Sequence, residues 1–142
     1  MLIFATRYAD CEAALSFLTR VLCLTEHAVF RDEAGRITHA QLTMGRGMVM
    51  FGPADREGEF AALMASPGGG RVTGSIYMVP AADLDWHYRR AVAAKAEILI
   101  HLRDEDHGGR SFTLRDPEGQ LWTLGDYDPF APVPETLPEA GG

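Results

Sequence analysis

The chain repeats itself at a fixed distance. Adding 73 to a residue number in the first half recovers a similar pattern in the second. Asp10, at the head of DCEAALSFLTRVL, matches Asp83, at the head of DLDWHYRRAVAAK. IFATR from Ile3 matches IYMVP from Ile76, RITHAQL from Arg36 matches GRSFTLR from Gly109, and MVMF from Met48 matches LWTL from Leu121. Segments recurring at one offset imply two copies of a strand–helix–three-strand unit sharing one sheet, an α+β chain of tandem βαβββ modules.

The elements can be read one by one. Residues 2–8 alternate as a strand. Asp10 is suited to accept the free amide hydrogens of a first helical turn, and apolar residues at 14, 15, 18, 21 and 22 form a helical stripe. Strands are expected at 25–31 and 37–44 around DEAG, and a turn within Gly45-Arg46-Gly47 leads into a strand at 48–52. The run ADREGEFAALMA (54–65) reads as a short helix, and SPGGG (66–70) as a flexible linker. The second unit supplies a strand at 73–79, a helix at 83–95 and strands at 97–102, 110–115 and 120–126, with a polar loop at 103–109 and a DPEG turn at 116–119. The expected organisation is one domain over 1–128, with module one about 1–53, a linker about 54–71 and module two about 72–128. An irregular tail at 129–142 holds four prolines and ends in two glycines.

Size and charge narrow the partners. A chain of 142 residues buries a real core. No apolar run approaches the roughly 20 residues of a membrane span, and no basic region precedes the first apolar residues as in a signal peptide. The net charge of −7 disfavours nucleic acid and anionic membranes, which need a cationic face. Cys11 and Cys23 are 12 residues apart on one helical stretch, about 18 Å of rise and beyond disulfide reach, and they form no metal-like spacing. Two reduced thiols suit a cytoplasmic setting.

The doubled unit and the segment DPEGQLWTLGDYDP resemble the vicinal oxygen chelate superfamily, the group of glyoxalases, bleomycin-resistance proteins and extradiol dioxygenases. The resemblance covers residues 2–128. It implies that the modules curl into a cupped, mixed eight-stranded sheet with a cavity in its concave face, and that the protein is a homodimer. In metal-dependent members each module gives one ligand from its first strand and one from its last. Carried over, these positions are Ile3 and Ile76, then Met50 and Thr123, with Ser75 replacing Ile76 if the register slips by one before Pro80. None is histidine, aspartate or glutamate, the side chains that divalent catalytic metals require. The family's acid–base carboxylate falls at Thr123, a poor proton shuttle near neutral pH. No metal and no other cofactor is therefore expected.

Candidate ligand-binding residues follow from alternation. Ile3, Ala5 and Arg7 share one face of the first strand, and Leu121, Thr123 and Gly125 one face of the last, leaving Trp122 and Leu124 under the helices. If the hairpin turn is Arg46-Gly47, partners sum to 93, Thr43 opposes Met50, and His39 and Gln41 share the Met50 face; a three-residue turn would reverse this. Phe112, the repeat partner of His39, is expected to face it, and Tyr127 to close the rim. The remaining histidines suggest less chemistry: His27 on an edge strand, His87 packed in the second helix beside Trp86 and Tyr88, His101 at a strand end and His107 in the polar loop. Methionines at 44, 48 and 50 would make the cavity adaptable. The set Arg7, His39, Met50, Phe112, Thr123 and Tyr127 suits a bulky, flat, apolar or aromatic small molecule. The function expected is binding without chemistry, similar to the antibiotic-sequestering members. The alternatives are a glyoxalase-like lyase, isomerase or dioxygenase with relocated metal ligands, and a metal-independent enzyme using His39.

Overall fold

The computed structural model describes residues 1–106 and 108–132. The chain runs β1 (Phe4–Tyr8), α1 (Cys11–Arg20), β2 (Thr25–Arg31), β3 (Ile37–Met44), β4 (Gly47–Pro53), a 3-10 turn (Ala61–Leu63), β5 (Ile76–Met78), α2 (Leu84–Ala93), β6 (Glu97–Asp104), β7 (Arg110–Arg115) and β8 (Leu121–Gly125). The strands form two four-stranded sheets, ordered β1-β4-β3-β2 and β5-β8-β7-β6. In each sheet the first and last strands of a module pair in parallel and the remaining pairs are antiparallel. The two βαβββ units are therefore both present.

Both helices begin where an aspartate can cap them. Asp10 accepts from the amide of Ala13 at 3.0 Å, and Asp83 from that of Asp85 at 3.1 Å. Their apolar stripes face the sheets. Cys11, Ala14 and Leu18 are buried on α1, and Leu84, His87 and Ala91 on α2. Opposite them, the helix-facing strand positions are the buried ones: Tyr8, Ala40, Leu42, Val49 and Phe51 in module one, and Met78, Phe112, Leu114, Trp122 and Leu124 in module two. Cys23 lies just beyond α1 rather than on it, with a positive φ of 61°. Both cysteines are free.

The run 54–65 is not a regular helix. Only Ala61–Leu63 form a turn, and Phe60 and Leu63 stay exposed. A helix this short needs a buried face to offset its nucleation cost, and here the apolar side chains find none. His107 lies outside the described residues, and so does the expected irregular tail from residue 133 on. No helix among the described residues is long and apolar enough to cross a membrane.

The modules are tied together by the turn after β7. Asp116 is 4 % exposed, and its carboxylate accepts from Tyr8 Oη at 2.5 Å and Trp122 Nε1 at 3.1 Å, and from the amides of Glu118 and Gln120 at 3.1 and 3.0 Å. The Glu118 carboxylate reaches back to the amides of Ala9 and Asp10 at 2.7 and 2.9 Å. The Phe4 and Trp122 rings meet edge to face at 6.4 Å, again across the modules.

His87 carries a testable consequence of this packing. It is 4 % exposed, its Nδ1 finds no partner among the described residues, and burial, with Arg90 nearby, lowers its pKa from the usual 6.5 despite the opposing pull of Asp83. Below pH 6.5 the unfolded chain takes up this proton before the folded one does, so His87 costs stability progressively as pH falls. Urea unfolding at pH 7 and pH 5 is expected to show a larger acid loss in the native sequence than in a His87→Leu variant. Equal losses would show that His87 is not protonated differently in the two states.

Candidate functional site

The side of each sheet away from its helix is the face open to a ligand. In module one, Ala5 pairs with Met50 and Met50 with Gln41, so Ala5, Arg7, His39, Gln41, Met48 and Met50 share it. The β3–β4 hairpin pairs Met44 with Gly47 and Gln41 with Met50. The turn is therefore Gly45-Arg46, two residues of slip from the expected pairing of Thr43 with Met50. A slip of two preserves the face, which is why His39 and Met50 still lie together. The segment between the modules then folds over this face. Arg56, Phe60 and Met64 join Ala5, Arg7, His39 and Met50 around a cavity of about 210 Å³. The linker residues were invisible to strand alternation. Their only signal was apolar EFAALMA lying outside both repeats.

Arg7 is the charged centre of this cavity. It is 7 % exposed; Nη1 donates to the carbonyl of Pro53 at 2.9 Å, while Nε has no partner among the described residues. The guanidinium carbon sits 6.0 Å from the Phe60 ring centroid, within cation–π range. Among the described residues no carboxylate forms an ion pair with it. His39 is half-buried, with Nε2 3.2 Å from Nε2 of Gln41 and its ring 6.0 Å from that of Phe30.

The corresponding face of module two is occupied by its own side chains. Tyr77 pairs with Thr123 and lies over Gly125, where a Cβ would come within 2.4 Å of the phenol oxygen. That phenol donates to the carbonyl of Tyr127 at 2.7 Å. The hydroxyls of Thr113 and Thr123 bond each other at 2.8 Å. Tyr127 is exposed, and its side chain lies beside Gly108 and Gly109; contrary to expectation, it does not close the rim of the cavity of module one.

The expected position of Phe112 is corrected, and of the alternatives Ile76 and Ser75 the register favours Ser75. Phe112 is fully buried on the helix side of its sheet, edge-on to Tyr88 of α2 at 5.2 Å, and does not face His39. Ile76 pairs with Trp122 on the helix side, which leaves Ser75 and Tyr77 on the open one. The cause is a changed repeat offset. Gln41 and Met50 correspond to Thr113 and Thr123, offsets of 72 and 73, because the turn joining β7 to β8 holds one residue more than that joining β3 to β4. Ala5 likewise corresponds to Tyr77 at 72. In a strand one residue of slip exchanges the faces.

The four positions to which the resemblance carries the superfamily's metal ligands, with the first-strand offset of 72, hold Ile3, Ser75, Met50 and Thr123. Among the described residues no three histidine, cysteine, aspartate or glutamate side chains come together. This donor set does not fit a divalent catalytic ion. A second, larger groove of about 730 Å³ runs between the modules, lined mainly by apolar residues including Phe4, Met44, Met48, Ile76 and Trp122. Alternation within a module does not reveal it, because it exists only once the two modules are packed.

Comparison with known proteins matches this architecture. The family model described as Glyoxalase/Bleomycin resistance protein/Dioxygenase superfamily matches residues 3–124. TioX from Micromonospora sp. ML1 is 30% identical, with 87% of this chain and 95% of that one covered at a TM-score of 0.69. Lactoylglutathione lyase from Agrobacterium tumefaciens (20% identity, 88% and 91% covered, TM-score 0.59) and the fosfomycin resistance protein FosX from Listeria monocytogenes (16%, 88% and 90%, 0.63) share the fold. No curated protein matches the sequence. A doubled βαβββ unit, a family match over nearly all of it and a relative covered over most of its length together make this chain a member of the glyoxalase/bleomycin resistance protein/dioxygenase superfamily.

Proposed function

We propose that the protein binds a bulky apolar or aromatic small molecule, one ring of it in the cavity of module one and the rest extending through the open side, without the metal centre usual in its superfamily and without transforming the ligand. The observation that carries this reading is the lining itself. Met50, Met64 and Phe60 offer adaptable and aromatic surface, and Arg7 and His39 give a few polar points to orient a ligand. Sequestration of a toxic natural product is a role that fits such a site. The reading includes a cytoplasmic homodimer as its working form, to be checked by light scattering and fractionation.

The test is metal content of untagged protein, thermal melting with added Zn, Ni, Mn and Fe(II), and a screen of aromatic compounds by the same melting shift. The expected result is no stoichiometric metal, no metal-induced shift and stabilisation by aromatic compounds. A stoichiometric metal would overturn the metal-free reading. For any hit, Met50→Asp is expected to weaken binding about 10- to 100-fold, because the new carboxylate removes apolar contact surface and pairs with Arg7, which otherwise orients the ligand. Unchanged affinity by calorimetry would place the ligand elsewhere, the groove between the modules being the next site to test.

A further inference from the structure

We infer that the ligand of the module-one cavity is an aromatic acid, its ring against Phe60 and Met50 and its carboxylate on Arg7. The inference rests on the proposal that this cavity is the binding site, and it adds the chemical class. A guanidinium buried to this degree is costly unless an anion accompanies it. Arg7 is 7 % exposed and has no carboxylate partner among the described residues. A second guanidinium, Arg56, also lines the cavity, and among the described residues no aspartate or glutamate does. The described wall of the site thus holds two cations and no countercharge.

The geometry adds direction. Nη1 is held by the Pro53 carbonyl at 2.9 Å, which fixes the plane of the fork, while Nε is closed to water and has no acceptor among the described residues. A carboxylate that shifts the side chain enough to open Nε can take Nε–H and one further N–H of the fork together, the two-point contact that makes arginine selective for planar oxyanions. The Phe60 ring, 6.0 Å from the guanidinium carbon, offers its face beside that contact. Size limits the rest. A cavity of roughly 150 Å³ accommodates benzene. The 210 Å³ available here admits one aromatic ring with its acid group, and anything larger must extend through the open side.

The test uses benzoate, its neutral isostere benzamide, and acetate as an acid without a ring. Binding is followed by NMR on the full chain, with the Arg7 Nε–H resonance as the local reporter. Benzoate is expected to move that resonance and to bind at least about tenfold more tightly than either benzamide or acetate, the increment of one charge-assisted fork contact on an aromatic anchor. Arg7→Met is expected to erase the preference for benzoate while leaving benzamide binding in place, and Arg7→Lys to restore only part of it. Equal affinity for benzoate and benzamide would overturn the acid while leaving an aromatic site. Binding of benzoate with a silent Nε–H resonance would overturn the role of Arg7. Failure of both aromatic compounds to bind at tens of millimolar would sink the aromatic site itself. If Arg7→Met does not fold, the comparison in the native chain still decides.

Discussion

Asp116→Ala is expected to cost about 3–5 kcal/mol, a large share of the roughly 5–15 kcal/mol that holds a domain together. The carboxylate receives four hydrogen bonds, and its removal strands the phenol of Tyr8, the indole N–H of Trp122 and two turn amides. Tyr8 and Trp122 are both fully buried, so water cannot replace the lost acceptor without opening the core. Burial, reinforced by the neighbouring Asp116, pushes the Tyr8 phenol well above its ordinary pKa, so it remains a donor throughout the working pH range. Tyr8→Phe removes only one of the four donors and should cost about 1.5–3 kcal/mol, the range for a hydrogen bond to a charged group. The check is equilibrium urea unfolding of both variants. A loss at Asp116 no greater than that at Tyr8 would show that the four bonds do not act as a unit.

Gly109→Ala is expected to cost about 2–4 kcal/mol, combining a left-handed backbone with a steric clash. Its φ is +70°, and an added Cβ would fall 2.5 Å from the Asp126 carboxylate oxygen and 3.0 Å from the Tyr127 amide. Asp126 cannot simply swing aside, because that same oxygen accepts from the amide of Arg110 at 2.6 Å. Gly119 provides the control. Its φ is +100°, yet nothing lies within 4 Å of where a methyl group would sit, so Gly119→Ala should show the backbone penalty alone, about 1–2 kcal/mol. Melting temperatures of the two variants measure the difference. Equal shifts would mean that the Asp126 loop yields freely.

The fold was legible because its strongest signals are local and repeated. Asp10 and Asp83 cap their helices whatever the tertiary structure does, and the strands of both modules fall near their expected spans. The candidate site was legible only where parity was robust. His39 and Met50 stayed on one face because the hairpin slipped by two residues. Phe112 and Ile76 did not, because a single inserted residue reverses every side chain beyond it while leaving local similarity intact. Phe60, Met64 and Arg56 reach the cavity through a non-repetitive segment whose path is set by tertiary packing, and no periodicity reports such a path. The orphaned Nε of Arg7 is likewise a property of burial, which a sequence of alternating residues cannot express.

The contact centred on Asp116 also says something about descent. Under a duplication, a mirror-image contact would be expected from module two back to the first hairpin. At an offset of 72 the place of Tyr8 is taken by Pro80, which has no hydroxyl, and the first hairpin turns through Gly45-Arg46, which has no carboxylate. The clasp therefore runs one way only. The halves differ here, one as donor and the other as acceptor, and are not interchangeable at this contact. A chain assembled from two first halves would have a tyrosine with nothing to hold, and one assembled from two second halves a carboxylate lacking its principal cross-module donor.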